Sequence, residues 1–351
     1  MVFSCVLAFL LSLAFCPLVI TLCRRNNWYD EVDPRKIHTG NIPRLGGVAL
    51  FASFAISLFV FIVFFRKTPV KAVFPLYIAG GLILLCGILD DFFNLRAKLK
   101  FLVQIIAALI VACSPTYFDH LLALLLPPVV GRLITFVWII SIVNAFNLID
   151  GMDWLCGGIS FLSILTFALI GFLDAQNIAS MHFILSASLL GFLFWNKPSA
   201  KIFLGDGGSQ SLGYIIAVTP LFYSNPHAFS FNQCLVMLLV TSIPVFDVIA
   251  AIWRRKREHR AIFAPDRAHI HHKLLNIGFS KLSAIFFLLL LQVLICLVVF
   301  ATYFMPVYSA TVLLLFAIAF VSVIFITFHY LNRSVNLRHL GHLEDRPQRE
   351  H

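Results

Sequence analysis

Residues 72–89 read AVFPLYIAGGLILLCGIL, and Asp90-Asp91 close the run before FFNLRAKLKF continues to residue 101. A helix needs roughly 20 apolar residues to cross the hydrocarbon core of a bilayer, so this stretch has the length and character of a span. Two adjacent carboxylates at its end repel each other and are costly at a membrane edge unless a cation or a shared proton compensates them. The stretch therefore predicts a transmembrane helix with chemistry at one end.

The rest of the chain repeats the pattern. Its 351 residues are 60% hydrophobic and 12% charged, with a mean hydropathy of +0.95, which is the composition of an integral membrane protein. Apolar runs fall at about 2–22, 46–65, 72–89, 101–113, 131–146, 159–173, 181–195, 211–224, 234–252, 284–304 and 308–330. The expected fold is all-α and polytopic, with about eleven transmembrane helices in a membrane domain over 1–330. A short charged tail, 331–351, is poor in apolar residues and expected to be mobile. The runs at 101–113 and 211–224 are short enough to be partly re-entrant. Residues 114–131, with Pro127-Pro128, read as an excursion that does not span.

Eleven crossings put the termini on opposite sides. The loops assigned to one side carry 22 of the Lys and Arg residues and the other loops carry 4, so the first side is predicted to be cytoplasmic and the N-terminus periplasmic. Inward positive charge and anionic lipid then account for the net charge of +10, and no nucleic-acid partner is required. Met1–Leu22 lacks the basic leading segment of a signal peptide, since Arg24 and Arg25 follow the apolar run. The eight cysteines form no CxxC pair and predict neither a disulfide nor a zinc site. No internal repeat of fixed period is present.

Four polar clusters fall on the predicted cytoplasmic side. Asp90-Asp91 is the first; its bland reading is a solvated interfacial turn, with Lys98 and Lys100 as inside-edge charges. The second is NAFNLIDGMDWLCGG, where Asn144, Asn147, Asp150 and Asp153 recur every three residues. On a helix they would form one stripe able to hold a sugar, a base or a metal, or simply to satisfy a neighbouring helix. Gly151, Gly157 and Gly158 predict a break there. The third is FLGDGGSQSLG, where glycines around Asp206 allow close backbone approach to a phosphate, with the carboxylate available to Mg²⁺. A glycine-rich helix start capped by Asp206 is the plain alternative. The fourth, AIFAPDRAHIHHKLLNIGFS, sets His269, His271 and His272 after Arg267. That set suits contact with a diphosphate better than a zinc site, because no Cys or paired acid accompanies it. A basic membrane-surface loop is the alternative.

Together LDDFFNLRAKLKFLVQ, NAFNLIDGMDWLCGG, FLGDGGSQSLGY and FAPDRAHIHHKLL resemble the polyprenyl-phosphate N-acetylhexosamine-1-phosphate transferases. The likeness extends over about residues 24–330 and includes RKIHTGNIPRLGG. Within that superfamily the chain is most similar to bacterial undecaprenyl-phosphate GlcNAc-1-phosphate transferases. The resemblance implies transfer of a sugar-1-phosphate from a UDP-N-acetylhexosamine to undecaprenyl phosphate, with UMP released at the inner leaflet. It implies Mg²⁺ as cofactor, with Mn²⁺ as an alternative, and it is compatible with a homodimer. By residue it implies Asp206 as the metal ligand and Asp90 and Asp91 as the catalytic pair. Asp150, Asp153 and His271 join the catalytic set, and Lys98, Asn144, Asn147, Arg267, His269 and His272 the substrate contacts. Asp247 matches a further family position, either functional or structural, for example as a partner to Arg254. One departure stands out: Trp154 occupies a position usually held by Gly. Its bulk puts the preference for UDP-GlcNAc over UDP-MurNAc-pentapeptide, UDP-GalNAc or a bacillosamine-type donor in question. A transporter would instead need mid-bilayer acids and internal repeats, and a non-catalytic scaffold would have lost the carboxylates.

Overall fold

The computed structural model describes residues 1–29, 42–65, 74–121, 124–174, 178–222, 231–259 and 269–344, excepting the side chains of 65, 120, 121, 124, 125, 222 and 336–344. Arg267 and the whole of the RKIHTGN segment lie outside the described residues. Thirteen α-helices account for most of the described residues: α1 Val2–Asn26, α2 Gly46–Phe65, α3 Phe74–Phe93, α4 Ala97–Ala112, α5 Pro128–Ile149, α6 Leu155–Leu173 and α7 Ile178–Asn196. Then follow α8 Gly205–Val218, α9 Gln233–Val240, α10 Ser242–Arg257, α11 Ile270–Ile277, α12 Lys281–Thr302 and α13 Val307–Glu344. Between α4 and α5 lies the non-spanning excursion, where His120–Leu121 and Leu124–Leu125 pair as two-residue antiparallel strands.

Each apolar run marked in the sequence is mainly helical over its described residues, but the eleven are not alike. Eight helices are individually long and apolar enough to cross a membrane, and a ninth crossing results if α9 and α10 count as one span bent by 74°. The short runs are helices α4 and α8, of 16 and 14 residues, below the length a full crossing needs. Helix α8 is enclosed by the bundle, whereas α4 buries one face, at Gln104, Ala107, Ala108 and Val111, and exposes Leu99, Leu102, Ile106 and Leu109 on the other. Helix α13 continues without a break to Glu344, past residue 330 and into the segment read as a tail.

Helix faces explain the packing. Ser4, Ala8, Ser12, Cys16, Ile20 and Cys23 recur about every four residues on α1, and all are buried. Small side chains let α1 approach α7 closely: a Cβ on Gly191 would lie 2.6 Å from the Phe9 carbonyl oxygen. Ser53 and Ser188 share a hydrogen bond of 2.6 Å, and Ser188 also donates to the Leu50 carbonyl at 2.8 Å, which fastens α2 to α7. Helix α6 is the most enclosed span, with 72% of its apolar window buried. By contrast Tyr308, Val312 and Phe316 on α13 are exposed, as a lipid-facing surface requires.

The tightest contacts surround the first turn of α8. A Cβ on Gly47 would lie 2.5 Å from the Gly208 nitrogen, and one on Gly87 would lie 2.5 Å from the Gly207 Cα. Backbones of α2 and α3 thus rest directly on the α8 backbone. Gly87→Val should lower stability by about 1–3 kcal/mol through overpacking, whereas Gly81→Ala on the same helix, with open space where its Cβ would go, should leave it unchanged. Thermal unfolding of the two variants in detergent measures the difference.

Candidate active site

A helix N-terminus leaves backbone N–H groups without partners and carries partial positive charge. At α8 these groups meet Asp91 on the last turn of α3. Its carboxylate accepts hydrogen bonds from Asp206 N at 2.9 Å and Gly207 N at 3.0 Å. Gly205, at φ +77°, makes the chain reversal before this turn, and a Cβ there would strike the Arg44 carbonyl and the Asp91 carboxylate. Arg44 donates to the Asp91 carbonyl at 3.0 Å and the Asp90 carbonyl at 3.2 Å, satisfying carbonyls that the end of α3 leaves open. The segments before α2 and α8 pair beside it through Phe203 N to Pro43 O at 2.8 Å and Gly46 N to Phe203 O at 2.9 Å.

Asp90 points elsewhere. One oxygen accepts Leu95 N at 2.7 Å, and the other meets the Lys100 ammonium at 2.9 Å. The same ammonium lies 3.2 Å from Asp206. Three carboxylates and two cations therefore share one spot, leaving a formal charge of −1. Gln210 donates to Asp206 at 3.2 Å, Gln104 to Gln210 at 3.0 Å and Asn144 to Gln104 at 2.7 Å, so a chain of amides, buried at Gln104 and Gln210, stands behind the carboxylates. Asn147 donates to the Ser209 hydroxyl at 3.2 Å and also bears on the Asp206 carboxylate.

Helix α5 ends at Ile149, so the predicted four-residue stripe divides: Asn144 and Asn147 are helical, while Asp150 and Asp153 lie in the following turn. Asp153 accepts Ala200 N at 3.2 Å. Trp154 takes φ +66°, a left-handed conformation that explains why glycine suits this position. Its N–H donates to Asn196 at 2.9 Å, its indole donates to Leu193 O at 2.8 Å, and its ring meets Phe286 edge-on. The indole is thus committed to α7 and α12. Asn196 in turn donates to Ile202 O at 2.8 Å and so links the Asp153 turn to the segment leading into Asp206.

The histidines complete the arrangement. Asp247 on α10 accepts Ile270 N at 2.7 Å and pairs with His269 Nδ1 at 2.8 Å, so it caps α11 and orients His269. Its partner is this histidine, not the Arg254 suggested from sequence. His271 is buried, stacks 5.9 Å from His269 and lies 4.4 Å from His272. A Cβ on Gly151 would lie 2.9 Å from the His271 ring, which puts the Asp150 turn against it. Burial lowers the His271 pKa to about 3, and neighbouring His272 adds to the effect. Asn147 and Gly151, four residues apart, join the carboxylate and histidine halves.

The structure assembles Asp90, Asp91, Asn147 and Asp206 as one cluster, and Asp150, His269, His271 and His272 as an adjoining one. Asn144 belongs to the amide chain. Lys98 is exposed; Lys100, two positions along and so near the opposite face of α4, reaches the carboxylates instead. Sequence reading passed over Lys100, Gln104, Gln210, Asn196 and Arg44 as site residues. The signals available were polar residues in an apolar run, at Gln104 and Gln210, and an asparagine ending a span, at Asn196. Among the described residues no three His, Cys, Asp or Glu side chains converge as a metal-holding group.

A bundle of spans with a carboxylate and ammonium centre at helix ends defines a membrane-embedded protein with a polar site at the edge of the bilayer. Residues 73–224 match the model of glycosyl transferase family 4. The chain is 32% identical to the probable undecaprenyl-phosphate N-acetylglucosaminyl 1-phosphate transferase of Bacillus subtilis, over 91% of this chain and 89% of that one. It is 30% identical to the undecaprenyl-phosphate alpha-N-acetylglucosaminyl 1-phosphate transferase of Yersinia pestis, over 79% and 77% of the two chains. It is 31% identical to the decaprenyl-phosphate N-acetylglucosaminephosphotransferase of Mycobacterium tuberculosis, over 70% and 68%. The protein belongs to glycosyl transferase family 4.

Asp91→Ala should cost about 1–3 kcal/mol, because two buried N–H groups lose their acceptor; chemical or thermal unfolding reads the loss. His271 supplies a pH test. Its folded pKa lies below the ordinary value of 6.5, so its stabilising share is complete above pH 6.5 and is lost as pH falls toward 3. Stability should fall by up to about 1.4 kcal/mol per pH unit in that window, and His271→Gln should flatten the slope.

Proposed function

We propose that the protein transfers GlcNAc-1-phosphate from UDP-GlcNAc to undecaprenyl phosphate, forming a lipid-diphosphate sugar and releasing UMP. The observation that carries this reading is Lys100 held between Asp90 and Asp206 at the ends of spans, beside a helix N-terminus and a histidine cluster. The names of the relatives favour N-acetylglucosamine among the donors considered. The 22-to-4 charge distribution supports a site on the cytoplasmic face of a bacterial plasma membrane, with the N-terminus periplasmic. There a soluble nucleotide sugar and a membrane-held phosphate can meet.

In the balanced step, an oxygen of the lipid phosphate bonds to the β-phosphorus of the donor. The bond from that phosphorus to the bridging oxygen breaks, and UMP leaves with the electron pair. Transfer between anions depends on alignment and charge neutralisation more than on a strong base. Lys100 supplies one positive charge. Asp91 holds the first turn of α8 in place, so its role is positioning. Its two oxygens are engaged by backbone N–H groups, and Asp90 is engaged by Leu95 N and Lys100. These bonds favour direct displacement over a covalent aspartyl intermediate. Neutral His271, beside the Asp150 turn, can donate a hydrogen bond to a phosphate oxygen without adding charge.

Mg²⁺ fits this set. It binds through one or two carboxylates plus waters and substrate phosphates, and Asp206 with Asp90 offers such a pair already sharing a cation. Once bound, it would supply Lewis-acid stabilisation of the charge on the diphosphate.

The test is purified protein in detergent with undecaprenyl phosphate, Mg²⁺ and a panel of UDP-sugars, reading UMP and lipid-linked product. UDP-GlcNAc should be turned over, EDTA should abolish turnover, and Asp206→Asn and Lys100→Ala should each lower it by about 10²-fold or more. Turnover of another donor alone would overturn the sugar assignment. Absence of UMP from every donor, with folded protein, would overturn the activity.

A further inference from the structure

At the end of the bundle remote from the carboxylates, a cavity of about 190 Å³ lies between α2, α3, α7 and α8. Its walls are hydrocarbon, from Phe51, Phe54, Leu84 and Met181 among others. Ala55, Tyr77 and Gly81 on its rim are exposed on α2 and α3, helices long and apolar enough to span, so the mouth faces the bilayer. Gly81 leaves it open, since a Cβ there would touch nothing within 4 Å.

One residue in the wall is out of keeping with a pocket for hydrocarbon alone. His182, one turn into α7, is 1% exposed, and its Nδ1 has no hydrogen-bond partner among the described residues. Its Nε2 lies 3.0 Å from the Thr219 hydroxyl. That hydroxyl donates to the Ile215 carbonyl at 2.6 Å, so its oxygen is left to accept from His182 Nε2–H. The neutral imidazole then carries its proton on Nε2, and Nδ1 is an acceptor. The Ser211 hydroxyl, also in the wall, lacks a partner too, but a serine in a helix can turn to a carbonyl of its own preceding turn. The ring of His182 has no such recourse. A buried unpaired nitrogen in an apolar wall costs free energy unless a bound molecule donates to it.

We propose that this cavity binds one chain of a phospholipid from the leaflet opposite the carboxylates, with a hydrogen-bond-donating head group, an ammonium or a hydroxyl, at His182. The depth is consistent. His182 lies four residues from the start of α7, about 6 Å by helical rise, near where the hydrocarbon meets the head groups. Leu84, ten residues into α3, lies about 15 Å in, where a chain would reach.

The experiment uses the full-length protein in vesicles containing a trace of phospholipid with a photoreactive group in one acyl chain. The head group is ethanolamine, glycerol or, as the control without a donor, choline. Cross-linked peptides are mapped by mass spectrometry. The ethanolamine and glycerol lipids should label α3 and α7 at Tyr77 and Met181 at least fivefold more than the choline lipid. Gly81→Leu, which adds a side chain at the mouth where a Cβ meets nothing within 4 Å, should lower that labelling at least tenfold, and His182→Phe should erase the head-group preference while the chain still enters. Equal labelling by all three lipids in the unaltered protein would overturn the head-group assignment. No labelling of these helices, or labelling that Gly81→Leu leaves intact, would overturn the site, leaving a cavity that holds water alone. The readout does not involve sugar-phosphate transfer, so it stands apart from the proposed activity.

Discussion

Everything at the polar end of this molecule depends on one electrostatic contact, the carboxylate of Asp91 against the N-terminal N–H groups of α8. A carboxylate buried at the end of a membrane span and a helix terminus buried in the same bundle are each unfavourable alone. Brought together, each supplies what the other lacks. The contact fixes the height of α8 in the bundle, and with it the position of Asp206 one residue into the helix. Glycines at 47, 87, 205, 207 and 208 then let three backbones meet at one point. Lys100 and Asp90 are assembled around a turn already in place.

The two aspartates of the Asp90-Asp91 pair consequently do different work. Adjacent residues on a helix point about 100° apart. Asp91 faces α8 and binds backbone, whereas Asp90 faces α4 and binds Lys100. The pair is one motif in the sequence but two interactions in space. A similar division applies on the other side of the site: Asn196 and Trp154 hold the Asp153 turn to the segment preceding α8, while Asp247 holds the histidines.

Much of the fold was legible in the sequence, because the bilayer makes hydropathy nearly sufficient to mark helices. The convergence of the clusters was legible too, since counting crossings puts alternate loops on the same side. What hydropathy does not carry is rotational phase. Lys98 and Lys100 look alike in an inside-edge loop, and only the start of α4 at Ala97 and its packing decide which one turns inward. Gln104 and Gln210 read as interruptions of apolar runs because their partners are each other, distant in sequence. Trp154 read as bulk at a glycine position. Its backbone conformation accounts for the glycine preference, and its side chain is occupied between helices. The short run at α8 looked ambiguous for a physical reason, since burial among other helices relaxes the length a span must have.

That shortness has a consequence at the opposite end. Fourteen residues rise about 21 Å, roughly 9 Å less than the hydrocarbon thickness of an ordinary bilayer. The α-helical part anchored by Asp91 at one surface therefore ends short of the other. The 3₁₀ turn Thr219–Phe222 adds about 8 Å at its steeper rise, and the pairing of Thr219 with His182 ties the junction to α7 near the opposite head groups. The polar site at one face is thus held on a post that tightens its winding, and is fastened sideways to α7, as it nears the other face.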